Sequence, residues 1–338
     1  MLVLGIETSC DETAAAIVEN GRLVRSDVVA SQATIHAQYG GIVPEVASRQ
    51  HIRWMMPVVE GAIARARVSW SDLDAIAVTH GPGLAGSLLV GVNAAKALAY
   101  ARGLPLVPVN HLAGHIYAGW LTEEETSEAP PFPLLCLIVS GAHSDLTLMD
   151  AHHRFQRIGR TRDDAPGEAF DKVARLLGLG YPGGPAIQKA AEAGRADALA
   201  VPRPAIPDSY DFSFSGLKTA MRRLTGGYDP HDLPVADLAA GFQAAVADVL
   251  TSNTLRAARD FGVAEILVCG GVAANQELRR RLVEQSPTPV RWPAIRWCTD
   301  NAAMIAAAGY FAALDGVRAG PTLDADATAK LGIDTGGT

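Results

Sequence analysis

Residues 110–118 read Asn-His-Leu-Ala-Gly-His-Ile-Tyr-Ala, which places His111 and His115 four apart. On a helix that spacing puts both imidazoles on one face, separated by about 6 Å of axial rise. Imidazole nitrogens are good ligands for zinc and iron, so the pair is spaced to hold one metal ion. The metalloprotease helix of the same spacing carries a glutamate directly after its first histidine as general base. Here Leu112 stands in that position, so a metal on His111 and His115 would not activate water by that route. Two surface histidines near a helix start are the competing reading, and the pair alone does not decide between them.

Further polar groups sit where the chain turns. Residues 2–6 are an apolar strand and 13–18 a second, joined by the small polar turn Thr8-Ser9-Cys10-Asp11-Glu12-Thr13. The design recurs: residues 134–139 form a buried strand, Ser140-Gly141-Ala142-His143-Ser144 a small polar turn, and 145–149 the returning strand. Amides and hydroxyls at such tips suit a phosphate or carboxylate, and a solvent-facing hairpin tip explains either turn equally well. Two hairpins of one design, each opening about half of the chain, predict an internally duplicated fold whose tips face a cleft.

The elements between them follow from periodicity and punctuation. Pro44 suits the first turn of a helix running through Met55 and Val59, with Glu45 and Arg49 as an i,i+4 pair; a loop capping that helix does not explain the nearby His36 and His51. A strand over 73–79, Gly81-Pro82-Gly83 and a helix to Arg102 precede the strand 104–109, which delivers His111 and His115 at its carboxyl end, where sites in α/β proteins gather. Residues 122–133, with four glutamates and three prolines, predict a connector.

In the second half, Pro166 opens a helix and Gly178 ends it, with Asp171 at the margin of its apolar stripe, either aimed into a cleft or paired with Arg175 on the surface. Residues 181–185 read as a rigid turn. Lys218, Arg222 and Arg223 form a short basic patch beside aromatic residues, either RNA-facing or merely solvated. A strand ending in Cys269-Gly270-Gly271 leads to Asn275, a helix cap or a donor to a sugar or base. Asp300 precedes an Ala-rich helix, and on those residues alone it reads as that helix's N-cap.

Composition narrows the class. The 338 residues are 49% hydrophobic and 19% charged, enough for two domains and a substantial core. A net charge of −7 gives no global attraction to nucleic acid, so any RNA contact is local or supplied by a partner. Four scattered cysteines with no CxxC pair, no basic apolar leader and no long apolar run predict a reduced, soluble, cytoplasmic protein without a membrane segment.

Taken together, GIETSCDET, HAQYGGIVPEVASRQH, GPGLAGSLLVG, the HxxxH pair, DDAPGEAFDKVARLLGLGYPGGP, DFSFSGLKTA, CGGVAAN and CTDNAAMIA stand in order over nearly the whole chain. This set resembles the bacterial TsaD proteins, relatives of the archaeal and eukaryotic Kae-type proteins. The resemblance implies a duplicated α/β fold of the actin-like ATPase class, with two α/β halves around a nucleotide cleft. The halves are expected at 1–133 and 134–338, with a final helix able to pack back on the first. It also implies transfer of a threonylcarbamoyl group from threonylcarbamoyl-AMP to N6 of the adenosine beside the anticodon, in tRNAs reading ANN codons, with release of AMP.

Carried over by position, the resemblance implies that His111, His115 and Asp300 are metal ligands for one divalent ion per subunit, iron(II) ahead of zinc. It implies that Ile138, Val139, Ser140, Gly141 and Ala142 form a substrate loop, that Asp171, Gly184 and Asn275 bind the adenylate, and that Asp11 and Glu12 lie near the reacting group. The implied ligands are threonylcarbamoyl-AMP and possible ATP binding in the cleft. The implied partners are tRNA, an inactive paralogue (TsaB) and a small P-loop ATPase (TsaE). The family's second loop reads Ser-Gly-Gly-His-Thr-Gln, whereas this chain has Ala142, Ser144 and Asp145 at the third, fifth and sixth places. A methyl group and a negative charge there are expected to weaken or reshape ligand binding. A sugar kinase of the same fold leaves the histidine pair without a task, a protease lacks its general base, and a silent scaffold does not need His111, His115, Asp171 and Asn275.

Overall fold

The computed structural model describes residues 1–124, 127–229, 231–331 and 333–334. The chain divides into two compact units, one of residues 1–130 and 293–332, the other of 131–292 and 333–338. The connector expected over 122–133 includes residues 125 and 126, which lie outside the described residues.

The first unit opens with β1 (Leu2–Glu7), β2 (Glu12–Glu19) and β3 (Leu23–Ser31), an antiparallel meander. After α1 (Ala33–Ala37) and α2 (Pro44–Ala66) come β4 (Ala75–Gly81), α3 (Ala85–Arg102), β5 (Leu106–Asn110) and α4 (His111–Tyr117). The sheet order is β3-β2-β1-β4-β5, with β4 and β5 parallel to β1. Local chemistry sets the boundaries. Pro44 occupies the first turn of α2, where its missing N–H costs nothing, and Gly103 ends α3 in the left-handed region at φ 65°.

The second unit repeats the plan. Its strands β6 (Leu134–Val139), β7 (Ser144–Ala151) and β8 (Arg154–Arg160) form the meander. Helices α5 (Pro166–Leu176), α6 (Gly183–Ala191), α7 (Ser215–Thr225) and α8 (Val235–Phe261) follow, then β9 (Glu265–Cys269), α9 (Gln276–Gln285) and β10 (Val290–Arg291). The sheet runs β10-β9-β6-β7-β8, the same order with the same parallel and antiparallel pairs, and β11 (Ile333–Asp334) extends its β8 edge. The duplication expected from the two hairpins is thus present strand for strand, including third strands that the sequence reading did not single out.

The chain returns to the first unit as α10 (Ala302–Leu314), whose ten buried residues are Ala, Met, Ile and Gly. Its small side chains permit very close packing on β1. A Cβ on Gly5 would lie well inside 3 Å of the Ala302 carbonyl oxygen. No helix among the described residues is long and apolar enough to cross a membrane.

Candidate metal centre and its surroundings

α4 starts immediately after β5 because Asn110 caps it, its side-chain Oδ1 accepting from the Leu112 and Ala113 amides at 2.9 and 3.4 Å. The first residue of the helix is therefore His111, and His115 follows one turn later, with ring centroids 4.7 Å apart. Both are buried, His115 to 1% exposure. The exposed-helix reading of the pair is excluded by that burial. Leu112 is buried too and points to core packing.

Asp300 completes the cluster. Its Oδ1 lies 3.6 Å from His111 Nε2 and 3.2 Å from His115 Nε2, and the three donor atoms fall within 4.8 Å of one another. The capping function that Asp300 suggests in the sequence belongs instead to Asn301, whose side chain accepts from the Met304 amide at 2.9 Å. With the cap supplied by its neighbour, the Asp300 carboxylate faces the imidazoles.

The donor set fits a metal ion. Both ring nitrogens of His115 are buried without a hydrogen bond among the described residues, an expensive condition that a cation at Nε2 would relieve for that atom. The His111 ring is oriented from behind. Its Nδ1 lies 3.1 Å from Glu7 Oε2 and 3.2 Å from Ser9 Oγ. Burial opposes the charged imidazolium of His111, but Glu7 and Asp300 outweigh it and hold this group at about 9. Burial also pushes the Glu7 carboxyl up, but His111 and the Ser9 hydrogen bond outweigh it and leave Glu7 below the usual carboxylate range.

Asp11 and Glu12 stand at the tip of the first hairpin, both half-buried. Burial pushes the Glu12 carboxyl up to about 9, with Asp300 and Asp11 adding to the effect and a hydrogen bond from Ser31 opposing it. Cys10 is likewise raised, chiefly by burial. His51, fully buried on α2, braces this hairpin through Thr13 Oγ1 at 2.8 Å and the Cys10 carbonyl at 3.0 Å. His36 is also internal, with Nε2 at 3.1 Å from Gln32 Oε1 and Nδ1 accepting from the Val43 amide. The cluster of His36 and His51 is therefore a brace, while Glu45 and Arg49 form an exposed pair.

In the second unit, Ile138 and Val139 are buried in β6, so their side chains are core. Ser140 shapes the tip, its amide donating to the His143 carbonyl and its hydroxyl accepting from the Ala142 and His143 amides. The start of α5 abuts this loop: the Gly167 amide donates to the Ser140 carbonyl, and a Cβ at Gly167 would sit 2.7 Å from both that oxygen and Gly141 Cα. The Ala142 residue is exposed. Asp145 is a buried strand residue 3.6 Å from Arg157, so the extra negative charge expected beside the loop is balanced within the sheet.

Residues 183–185 differ from the rigid turn read in the sequence, because they open α6. Gly183 permits this by pressing against Asp171, whose Oδ1 accepts the Gly183 amide at 2.7 Å. Burial raises the Asp171 carboxyl, with that amide and Arg175 acting in the other direction. A Cβ at Gly184 would meet nothing within 4 Å. Asn275 caps α9 by accepting from the Leu278 amide at 3.0 Å and donates to Gln243 at 2.9 Å. Lys218 is half-buried, while Arg222 and Arg223 are exposed on α7.

Glu7 is the residue that sequence reasoning missed. It ends an apolar strand, where an acidic residue ordinarily marks the strand's exit to solvent, yet it is fully buried and accepts from Thr79 Oγ1 at 2.6 Å. The signal for it was the polar Thr79 at the matching place on β4.

Comparison with known proteins sets this geometry in a family. The family model TsaD, described as tRNA N6-adenosine threonylcarbamoyltransferase, matches residues 23–307. A protein of that name from Thermomicrobium roseum is 56% identical, over 99% of this chain and 98% of its own length. One from Dehalococcoides mccartyi is 55% identical, over 98% and 99%. Among solved structures, HypF of T. kodakarensis aligns with TM-score 0.61 and 17% identity, covering 94% of this chain and 48% of that one. Component A of the Acidaminococcus fermentans (R)-2-hydroxyglutaryl-CoA dehydratase aligns with TM-score 0.51 and 18% identity, covering 93% and 99%. These two likenesses show the duplicated α/β fold of the actin-like ATPases. The chain belongs to the TsaD family of tRNA N6-adenosine threonylcarbamoyltransferases, transferases that act on tRNA.

Proposed function

We propose that this protein transfers the threonylcarbamoyl group of threonylcarbamoyl-AMP to N6 of the adenosine beside the anticodon, in tRNAs reading ANN codons, and releases AMP. The observation that carries the reading is the convergence of His111, His115 and Asp300, two buried imidazoles and a carboxylate from elements far apart in sequence. That set is the ligand combination of non-haem iron(II) sites and also suits zinc, so we place iron(II) ahead of zinc. When bound, the ion supplies a Lewis acid for the carbonyl of the mixed anhydride.

The residues of the chain carry the other tasks. His111, His115 and Asp300 hold the ion, with Glu7 and Ser9 behind His111. In the second unit, the Ser140–Gly141–Ala142 tip and the starts of α5 and α6 bring amide groups that suit the phosphate of the adenylate. Asp171, Gly184 and Asn275 hold the adenylate beside these helix starts. The amine attacks the carbamoyl carbon, the bond to the phosphate oxygen breaks, and the amine proton leaves. Asp11 or Glu12 orients the amine or accepts that proton.

tRNA is the partner that the reading requires, and the acidic net charge favours help in binding it from an inactive paralogue (TsaB) and a small P-loop ATPase (TsaE). A cytoplasmic location accords with four cysteines that form no disulfide among the described residues. The test supplies synthetic threonylcarbamoyl-AMP and a tRNA transcript to the metal-loaded protein, alone and with each partner combination. Formation of threonylcarbamoyladenosine and AMP in equal amounts is expected. Absence of product in every combination overturns the reading.

A further inference from the structure

We propose that Glu7 is a positioning residue for the metal centre, its carboxylate accepting the Nδ1–H of His111 so that the ring presents Nε2 to the ion. This rests on the metal-centre reading above and adds to it the group that selects the histidine's tautomer and orientation.

Neutral imidazole carries one proton, and the nitrogen that lacks it is the one able to ligate. The two ring nitrogens of His111 have different neighbours. Nδ1 faces Glu7 Oε2 at 3.1 Å and Ser9 Oγ at 3.2 Å, while Nε2 faces Asp300 Oδ1 at 3.6 Å. A carboxylate has no proton to donate, so its hydrogen bond to Nδ1 requires the proton there and makes Nε2, which faces the His115 and Asp300 donors, the nitrogen that gives up its proton to ligate.

The carboxylate is itself fixed. Glu7 is fully buried, and it also accepts from the Thr79 hydroxyl at 2.6 Å and from the Ser9 amide through a short bond. Thr79, Ser9 and His111 thus hold both oxygens of this buried carboxylate and fix its orientation. His115 differs: its Nδ1 has no hydrogen-bond partner among the described residues. The centre therefore has one histidine whose Nδ1 meets a carboxylate and one whose Nδ1 meets none among the described residues. Outer partners of this kind, when removed, weaken metal binding by roughly 10- to 100-fold.

Two measurements test the assignment without relying on turnover. The first titrates Co(II) and Zn(II), against a competing chelator, into the parent protein and Glu7→Gln, with melting of the metal-free forms as the check on folding. The variant should bind about 10- to 100-fold more weakly, with an altered Co(II) d–d absorption spectrum. Equal affinity and an unchanged spectrum in a folded variant overturn the proposal. Failure of the parent protein itself to bind either ion refutes the metal-centre reading instead, and the proposal falls with it. The second uses no variant: in Zn(II)-loaded protein with 15N-labelled histidine, His111 should show a protonated Nδ1 and a metal-bound Nε2. Zinc on Nδ1, or a proton on Nε2, contradicts it even if Glu7→Gln does not fold.

Discussion

Replacing Gly5 by alanine perturbs the metal centre without touching it. Gly5 lies in mid-β1, paired with Ala16 on one side and Ala77 on the other, and α10 crosses directly over it. The added Cβ would fall well inside 3 Å of the Ala302 carbonyl oxygen, 2.7 Å from the Ala306 amide nitrogen and 3.0 Å from Ala306 Cβ. Two of these are backbone atoms, so no rotamer change relieves them, and α10 must retreat by roughly 1 Å to recover ordinary separations. Overpacking at an unyielding site costs about 3 kcal/mol, the upper end of the usual range. For a unit of this size that lowers the melting temperature by roughly 6–12 °C.

The displacement also reaches the proposed ligands, because Asp300 lies two residues ahead of α10 and is tied to it through the Asn301 cap. Metal–ligand distances tolerate about 0.2 Å, much less than the retreat. Zn(II) affinity should therefore fall at least about tenfold, equivalent to roughly 1.4 kcal/mol. Calorimetry of the metal-free protein and chelator-competition titration measure the two effects, with Gly41→Ala as control because a Cβ there meets nothing within 4 Å. A Gly5→Ala protein that melts with the parent and binds Zn(II) equally would refute the packing argument.

Three further outcomes follow from other parts of the molecule. Burial pushes the Asp27 carboxyl up to about 6, against a hydrogen bond from the Ala302 amide, so the folded protein holds this proton more tightly than the unfolded chain. Its contribution, up to about 3 kcal/mol, is complete below pH 4 and is lost as pH rises through 6; denaturant unfolding across that window should show a flatter profile for Asp27→Asn. Gly167→Ala forces the 140–142 tip away from α5 and should raise the KM for threonylcarbamoyl-AMP by about 10- to 100-fold in steady-state assays, with Zn(II) affinity unchanged. Asp145→Asn removes the charge facing Arg157 inside the second sheet and should destabilise the protein by about 1–3 kcal/mol in urea titrations.

Much of this arrangement was legible in the sequence. The two hairpins announced themselves by apolar runs flanking small polar turns, and β6 spans the same residues, 134–139, that the pattern indicated. The outer strands β3 and β8 were not legible, because each lies half-exposed at the side of its meander and carries charges that blur the alternation. Helix caps misled at Asp300, since Asp and Asn are both good caps and only the backbone turn decides that Asn301 takes the role. In the sequence Asp145 stands as an uncompensated charge beside the loop, because its compensating Arg157 arrives from the next strand. Glu7 is hard to single out for the same kind of reason, Thr79 on β4 being its one sequence signal. Its partner His111 is 104 residues away, and nothing local distinguishes an oriented buried carboxylate from a strand end.

The proposed role of the His111–His115–Asp300 cluster is that of metal platform for the transfer reaction. The most direct measurement is single-turnover transfer of labelled threonylcarbamoyl groups from supplied threonylcarbamoyl-AMP to tRNA. It compares the metal-loaded parent with a folded His111→Ala/His115→Ala protein under the same partner conditions. The double variant is expected to bind no ion at this site and to form no modified tRNA. Undiminished transfer by the double variant would contradict it.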